Sequence, residues 1–500
     1  MKLSVYLQFT LIIISFGMPA YAQLETAHWF FGKKGLNFQQ LPPQLITNHN
    51  VLRADQPVVL SDPGTGDLLF YSDGNMVWNR NHTAMSNGYN LQGHSHTSGH
   101  SYLAVPFPDD ADRYYLFTMS YFGEAKHGGL SVFSLYYSEI DMDRNNGLGE
   151  VTQKNMHVFD SLGSVITAIP FANRQGYWLI ATKTEEEHCF VIWPVTAVGI
   201  GNPVKQCTGL RPLNTAMTFN PRMKPSPDGK MLALSHHILG TGPLYLCRFN
   251  DTTGIVSEPL AIGNLGWQGG ISFSPDSKQL YVAALDSTTL PGYDPNLHNV
   301  LHQFDVSTYD SLAIARTLAS ITIPHFHFNF DRVGDLQLGL DGKLYASRMF
   351  RLSDNQATSR RFLAIIQDPN QPGFNSQIRY ESFQGQYPLH STFPNFMSHY
   401  FEGLTPQGGS PVTDAPCQTA RAYSLYPNPT DTDIAISVSE ECFQPYILSI
   451  YNAVGQLLLD NYRVNEQASE TIEVSALASG VYFAVISAEG KKIGKKFVKR

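Results

Sequence analysis

Short runs of apolar and aromatic residues, several alternating with polar ones, follow one another along most of this chain. Leu68-Leu-Phe-Tyr71, Ser101-Tyr-Leu-Ala-Val-Pro106, Tyr114-Tyr-Leu-Phe-Thr118, Val165-Ile-Thr-Ala-Ile169, Tyr177-Trp-Leu-Ile-Ala181 and Leu244-Tyr-Leu-Cys-Arg-Phe249 are examples. Such runs bounded by turn formers predict β-strands. Residues 101–106 and 114–118 are expected to pair across Asp109, Asp110 and Asp112, and residues 165–169 and 177–181 across Asn173 to Gly176. Helical periodicity of useful length is absent from this span.

One turn-plus-strand motif occurs three times, as Ser226-Pro-Asp-Gly-Lys-Met-Leu-Ala-Leu234, Ser274-Pro-Asp-Ser-Lys-Gln-Leu-Tyr-Val282 and Leu340-Asp-Gly-Lys-Leu-Tyr-Ala346. Pro presets φ, Asp bonds back to its own backbone, and Gly accepts φ > 0. A single hairpin of this kind cannot bury its apolar face, so the repeats must stack or close into a ring. The motif's Asp stands at 228, 276 and 341, spacings of blade size with insertions. Residues 24–400 leave room for about seven four-stranded blades of ~40–50 residues, a β-propeller. A pair of β-sandwiches is the competing architecture, but sandwiches have no need of one turn motif at such long intervals.

Segment 28–400 resembles exported propeller proteins related to WD-type and Tol-type propellers, found in bacteria that use the type IX secretion system. The resemblance is carried by Trp29-Phe-Phe-Gly32, Leu68-Leu-Phe-Tyr-Ser-Asp-Gly74 with Val77-Trp-Asn-Arg-Asn-His82, and Met85-Ser-Asn-Gly88. It continues through Tyr136-Tyr-Ser-Glu-Ile-Asp-Met142 with Asn146-Gly-Leu-Gly-Glu-Val151, the three turn motifs, and Phe393-Pro-Asn-Phe396. It implies a scaffold and a secretion route, and brings no shared catalytic residues.

Residues 402–422 lack an apolar repeat and are rich in turn formers, which predicts a linker. From 423 to 500 alternating strands return: Tyr446-Ile-Leu-Ser-Ile-Tyr451, Gln456-Leu-Leu-Leu459, Thr471-Ile-Glu-Val474, Gly480-Val-Tyr-Phe-Ala-Val-Ile486 and Lys495-Lys-Phe-Val-Lys-Arg500. They predict a small β-sandwich. It is similar over its whole length to the type A sorting domain of the type IX secretion system, through Tyr426-Pro-Asn-Pro429, Ile450-Tyr-Asn-Ala-Val-Gly455, Leu477-Ala-Ser-Gly-Val-Tyr-Phe483 and the basic end. On that resemblance the sorting signal comprises Pro427, Asn428, Pro429, Gly455, Gly480, Lys495, Lys496, Lys499 and Arg500. The partner it implies is the type IX machinery at the outer membrane, followed by release or surface attachment. The lysines of the tail would otherwise read as protection of a solvated edge strand.

The N-terminus fits such a route. Lys2, the apolar Leu11-Ile-Ile-Ile-Ser-Phe16 and Ala20-Tyr-Ala22 predict a signal peptide, residues 1–22, removed after Ala22. The domains are therefore expected at 1–22, 23–401, 402–422 and 423–500. No later segment has ~18 uninterrupted apolar residues, so no transmembrane segment is expected in the mature chain. With 500 residues, 43% hydrophobic and a net charge of -8, the chain is long enough for large cores and lacks the basic footprint of a nucleic-acid binder. Of the 5 cysteines, Cys189 and Cys207 are placed to close one segment and Cys417 and Cys442 another. Cys247 in its strand reads as an inert buried thiol.

Candidate chemistry is sparse. His94, His96 and His100 share a Gly/Ser-rich stretch whose ligand type suits a metal, although such histidines also bond backbone groups. Asp141, Asp143 and Asn145 place oxygen ligands at alternate positions, as calcium loops do, but the glycine and the final glutamate are out of step and an Asn-Gly turn is the competing reading. His325-Phe-His-Phe-Asn-Phe330 and Glu185-Glu-Glu-His188 read as a half-wet strand and a solvated loop. Neither Gly-x-Ser-x-Gly, His-Glu-x-x-His nor a Gly-Lys-Ser/Thr phosphate loop occurs. No cofactor is expected, calcium being the one candidate. The expected function is a secreted or surface-attached binding module for an extracellular glycan or protein. The alternatives are a hydrolase or lyase acting on extracellular polysaccharide or peptide, and a structural part of the surface or motility apparatus.

Overall fold

The structure is a computed structural model. It describes residues 23–32, 34–51, 57–93, 100–124, 131–183, 189–209, 222–235, 242–265, 267–285, 299–323, 332–349, 361–374, 378–383, 392–407, 423–438, 446–464, 469–488 and 491–500.

Before residue 407 the described strands form six hydrogen-bonded antiparallel sheets, in chain order except that Val204–Cys207 pairs back with Cys189–Thr196. The first holds His28–Phe31, Lys34–Asn37 and Gln44–Ile46, and the second Val58–Ser61, Leu68–Ser72 and Val77–Asn79. The third has eight strands, beginning with Tyr102–Phe107, Asp110–Glu124, Ser131–Asp141 and Glu150–Pro170 and continuing from Tyr177–Lys183 and Cys189–Thr196. Its Glu150–Pro170 strand pairs Ser131–Asp141 up to Leu162 and Tyr177–Lys183 from Leu162 on, so one long strand serves two successive halves. Three four-stranded sheets follow, led by Arg222–Pro225, Trp267–Phe273 and Arg332–Leu338.

The leading strands of the six sheets, together with Glu150–Pro170 of the third, pack side by side in chain order, from His28–Phe31 through Val58–Ser61, Tyr102–Phe107, Glu150–Pro170, Arg222–Pro225 and Trp267–Phe273 to Arg332–Leu338. The ring closes where Trp29 and Phe38 of the first sheet meet Tyr345 of the last, edge on, at 5.4 and 5.5 Å. The architecture is a β-propeller. Leading strands approach closely at Gly270, where a Cβ would lie 2.4 Å from Leu336 N and 2.6 Å from Asp335 Cα. Only glycine fits there.

The repeated turns are built as their sequence requires. Asp228 Oδ1 accepts from Lys230 N at 3.0 Å and Ser226 Oγ, while Met231 N donates to Ser226 Oγ at 2.9 Å. Asp276 and Ser274 repeat these bonds. Asp228 N also donates to Ser277 Oγ of the next motif at 3.1 Å, so the turns lock neighbouring sheets together. Gly342 has a φ of +72° and its own close contact with Thr405, which excludes a side chain. The six-residue helix Ser311–Arg316, capped by Asp310 accepting from Ala313 N at 2.7 Å, is the one α-helix among the described residues.

Cys189 and Cys207 form a disulfide between register partners of adjacent strands. Burial raises the Cys247 thiol to about 12, so it stays protonated and inert. Cys417 and Cys442 lie outside the described residues, as does the proposed signal peptide.

The tail is a β-sandwich. Tyr423–Tyr426, Asp433–Val438 and Ser469–Glu473 form one sheet; Leu457–Val464, Tyr446–Asn452, Gly480–Ala488 and Lys491–Lys499 form the other. Alternation sends Ile434, Ile436, Leu448, Ile450, Ile486 and Phe497 inward to a core of its own. No helix among the described residues is long and apolar enough to cross a membrane.

Candidate functional site

The leading strand of each sheet is an edge strand, and its free backbone groups need partners or water. Along this inner edge runs Thr392–Phe401, most of it buried, with Phe393 and Met397 wholly so. Asn395 Nδ2 donates to the carbonyls of Tyr102 at 3.0 Å and Ile166 at 3.1 Å, bridging two leading strands. Phe393 packs on Trp29 and Phe31, with ring centroids 5.2 and 5.5 Å apart, and Phe396 lies 6.1 Å from Trp29. Beyond it, Gly403 N donates to Pro275 O and Gln407 N to Asp341 O, so residues 402–407 are tied to the repeated turns. Among the described residues this segment thus contacts the inner strands of the first, third and last sheets.

Beside this plug lies a buried polar cluster. Asp335 Oδ2 accepts from Phe393 N at 3.2 Å and faces His100 Nε2 at 3.3 Å; Oδ1 accepts from Leu336 N at 2.9 Å and lies 3.7 Å from Arg222 Nε. Lys224 Nζ donates to Gln337 Oε1 at 2.8 Å. His100, Asp335, Arg222, Lys224 and Gln337 are each at most 4% exposed. Arg222 and Lys224 alternate on one strand, as Asp335 and Gln337 do on another, so each pair shares a face.

Burial works against the Asp335 carboxylate but is outweighed by His100, which bonds it, and by Arg222 and Lys224; it is held well below the usual carboxylate range. Burial drives His100 down to about 4, with Lys224 adding to the effect. The imidazole is therefore neutral and carries its proton on Nε2, towards Asp335, leaving Nδ1 buried without a partner. Burial also lowers Arg222, and lowers Lys224 to about 8. A cavity between Lys224, Ser272, Gln337 and Ser398 measures about 10 Å³, room for roughly one water. The cluster is an ionic clamp joining the plug to the ring, and that cavity is too small for a substrate.

Burial holds His28, His49 and His100 at about 4 and His399 at about 3. Their folded values lie below the unfolded one, so below pH 6.5 the unfolded chain takes up more protons. Glu25, raised by burial to about 7, acts oppositely as the pH falls and offsets one of the four. Stability should therefore fall between pH 6.5 and 4, by on the order of 1 kcal/mol per pH unit for each histidine not offset. Denaturant midpoints across this range test it; a flat profile would contradict the neutral burial of these groups.

His94 and His96 lie outside the described residues, together with 184–188 and 324–331, while His100 belongs to the ionic clamp. Asp141 uses its carboxylate locally, accepting from Asp143 N at 3.1 Å and Arg144 Nε at 3.0 Å. Asn145 donates to Gly149 O, and Asn145 and Asn146 take φ of +51° and +56°, an asparagine-glycine turn. Among the described residues no three His, Cys, Asp or Glu side chains are grouped to hold a metal.

In the tail, Asn428 acts as a short strand partner: its Nδ2 donates to Lys496 O and its Oδ1 accepts from Val498 N, both at 3.0 Å. It stands between Pro427 and Pro429, and Thr430 continues the pairing with Val498 and Arg500. Gly455 closes its turn at φ +81°, and Gly480 begins a strand opposite Lys499. Lys496 is exposed and Lys495 half-buried, but Lys499 turns inward at 8% exposure, so it adds little to a cationic surface.

Arg222, Lys224, Asp335, Gln337 and Asn395 were not legible as a site from residue type alone. The available signal was positional: Arg222 and Lys224 stand four and two residues before Ser226, and Asp335 and Gln337 four and two before Gly339.

Several solved structures are similar at low identity. The β-propeller domain of Cps50 (Swd1) from Myceliophteria thermophila is 12% identical, covering 79% of this chain and 96% of that chain, with a TM-score of 0.37. Hydrazine synthase from Kuenenia stuttgartiensis is 12% identical over 59% of this chain and 72% of that chain, TM-score 0.36. A protein from Lactobacillus plantarum is 13% identical over 83% and 98%, TM-score 0.35. These low scores lend nothing to a functional reading. No curated protein matches the chain. Residues 424–500 match the secretion system C-terminal sorting domain family, the mark of a protein exported to the cell surface or the extracellular space.

Proposed function

We propose that the mature protein is a non-enzymatic binding module, carried across the outer membrane by the type IX machinery through residues 423–500 after loss of residues 1–22. The observation that carries the binding reading is the inner segment Thr392–Phe401. Thr392–Phe401 packs, largely buried, against the inner strands, with Asn395 Nδ2 and the Phe393 N–H bonded to three of them. Recognition then falls to the ends of the ring, where connections from every sheet converge. One end of the ring carries the tight Ser226 and Ser274 turns. The test is saturable binding by full-length, leaderless protein on glycan and peptide arrays, assayed in parallel for turnover.

A further inference from the structure

The four-stranded sheet of the tail buries one face and must turn the other outward. Directly opposed residues share a face, and the register places Leu457, Tyr451, Phe483 and Lys496 in one row across all four strands. Leu457 is 41% and Phe483 39% exposed, with Tyr451 half-buried between them. A second row runs from Arg463 through Ile447 and Ser487 to Lys492. Arg463, Lys492 and Lys496 are all exposed. A solvated sheet face ordinarily carries polar residues, and an aromatic and aliphatic row there marks a contact surface. An apolar centre with a cationic margin fits a protein surface with an apolar centre and an acidic margin.

We infer that this outer face, the Leu457–Tyr451–Phe483–Lys496 row bordered by Arg463 and Lys492, docks on an acidic-rimmed apolar surface of the export machinery. The inference rests on the sorting function proposed for the tail and adds where on the tail the partner sits. The edge strand of this sheet is already covered at its end by Asn428 and Thr430, which leaves the face as the broader free surface.

Two sets of full-length variants test it in the native cell: Leu457→Thr with Phe483→Thr, which keeps β-propensity, and Lys492→Glu with Lys496→Glu, which alters only exposed charges. Deletion of 423–500 is the reference. The expected result is periplasmic accumulation, with export reduced at least about tenfold in either set, since central apolar and charged contacts dominate such surfaces, and an unchanged unfolding midpoint for the charge set. Normal export of both sets, with the deletion retained, would overturn the face and leave the sorting reading standing. Export of the deletion itself would overturn both. A purified dimer that dissociates in the threonine variant while its export stays normal would assign the face to a second copy of this chain and overturn the proposal.

Discussion

Asp335→Asn is expected to destabilise the propeller by about 3–5 kcal/mol, the cost of removing one partner from a buried ionic cluster. Arg222 and Lys224 are each 4% exposed, and Asp335 is the carboxylate that both face. The substitution is nearly isosteric and leaves the volume of the site intact, so the loss reports the charge and one hydrogen-bond acceptor rather than packing. Adding Lys224→Met should recover part of it by removing one of the cations that face position 335, a coupling that a double-mutant cycle measures. Denaturant unfolding of the single and double variants is the assay. Full stability in Asp335→Asn would mean that the cluster does not hold an ionised carboxylate.

Phe393→Ala should cost a similar about 3–5 kcal/mol, typical of deleting a buried aromatic ring. Phe393 is fully buried against Trp29 and Phe31, while its backbone N–H holds Asp335. Its removal loosens the plug where the first and last sheets meet. Trp29 fluorescence should then become more solvent-sensitive before global unfolding. An unaltered midpoint would show that the ring is stable without its plug. Because Phe393 and Asp335 are in direct contact, the two effects are expected to couple rather than add.

The strands and turns of this protein were legible because they rest on local rules. The Ser226 and Ser274 motifs fold as their Ser, Pro and Asp residues dictate, and the repeats announced a ring. The tail was legible almost entirely for the same reason. Even the inward turn of Lys499 follows from alternation with Ile493 and Phe497. What escaped is tertiary. Thr392–Phe401 has neither helical nor strand period, and only the ring around it makes it a core segment. The Asp335 cluster draws its members from segments far apart in the sequence, so residue type marked only His100, and that as a metal ligand. Helix Ser311–Arg316 is too short for its period to stand out.

The most direct measurement is binding and turnover by leaderless full-length protein, residues 23–500, against glycan and peptide arrays and a hydrolase and lyase panel, with and without calcium, zinc or chelator. Saturable binding, without turnover and unchanged by chelation, is the expected result for a propeller whose inner strands are bridged by its own Thr392–Phe401. Catalytic turnover of an arrayed glycan or peptide, above all turnover abolished by chelation, would contradict it.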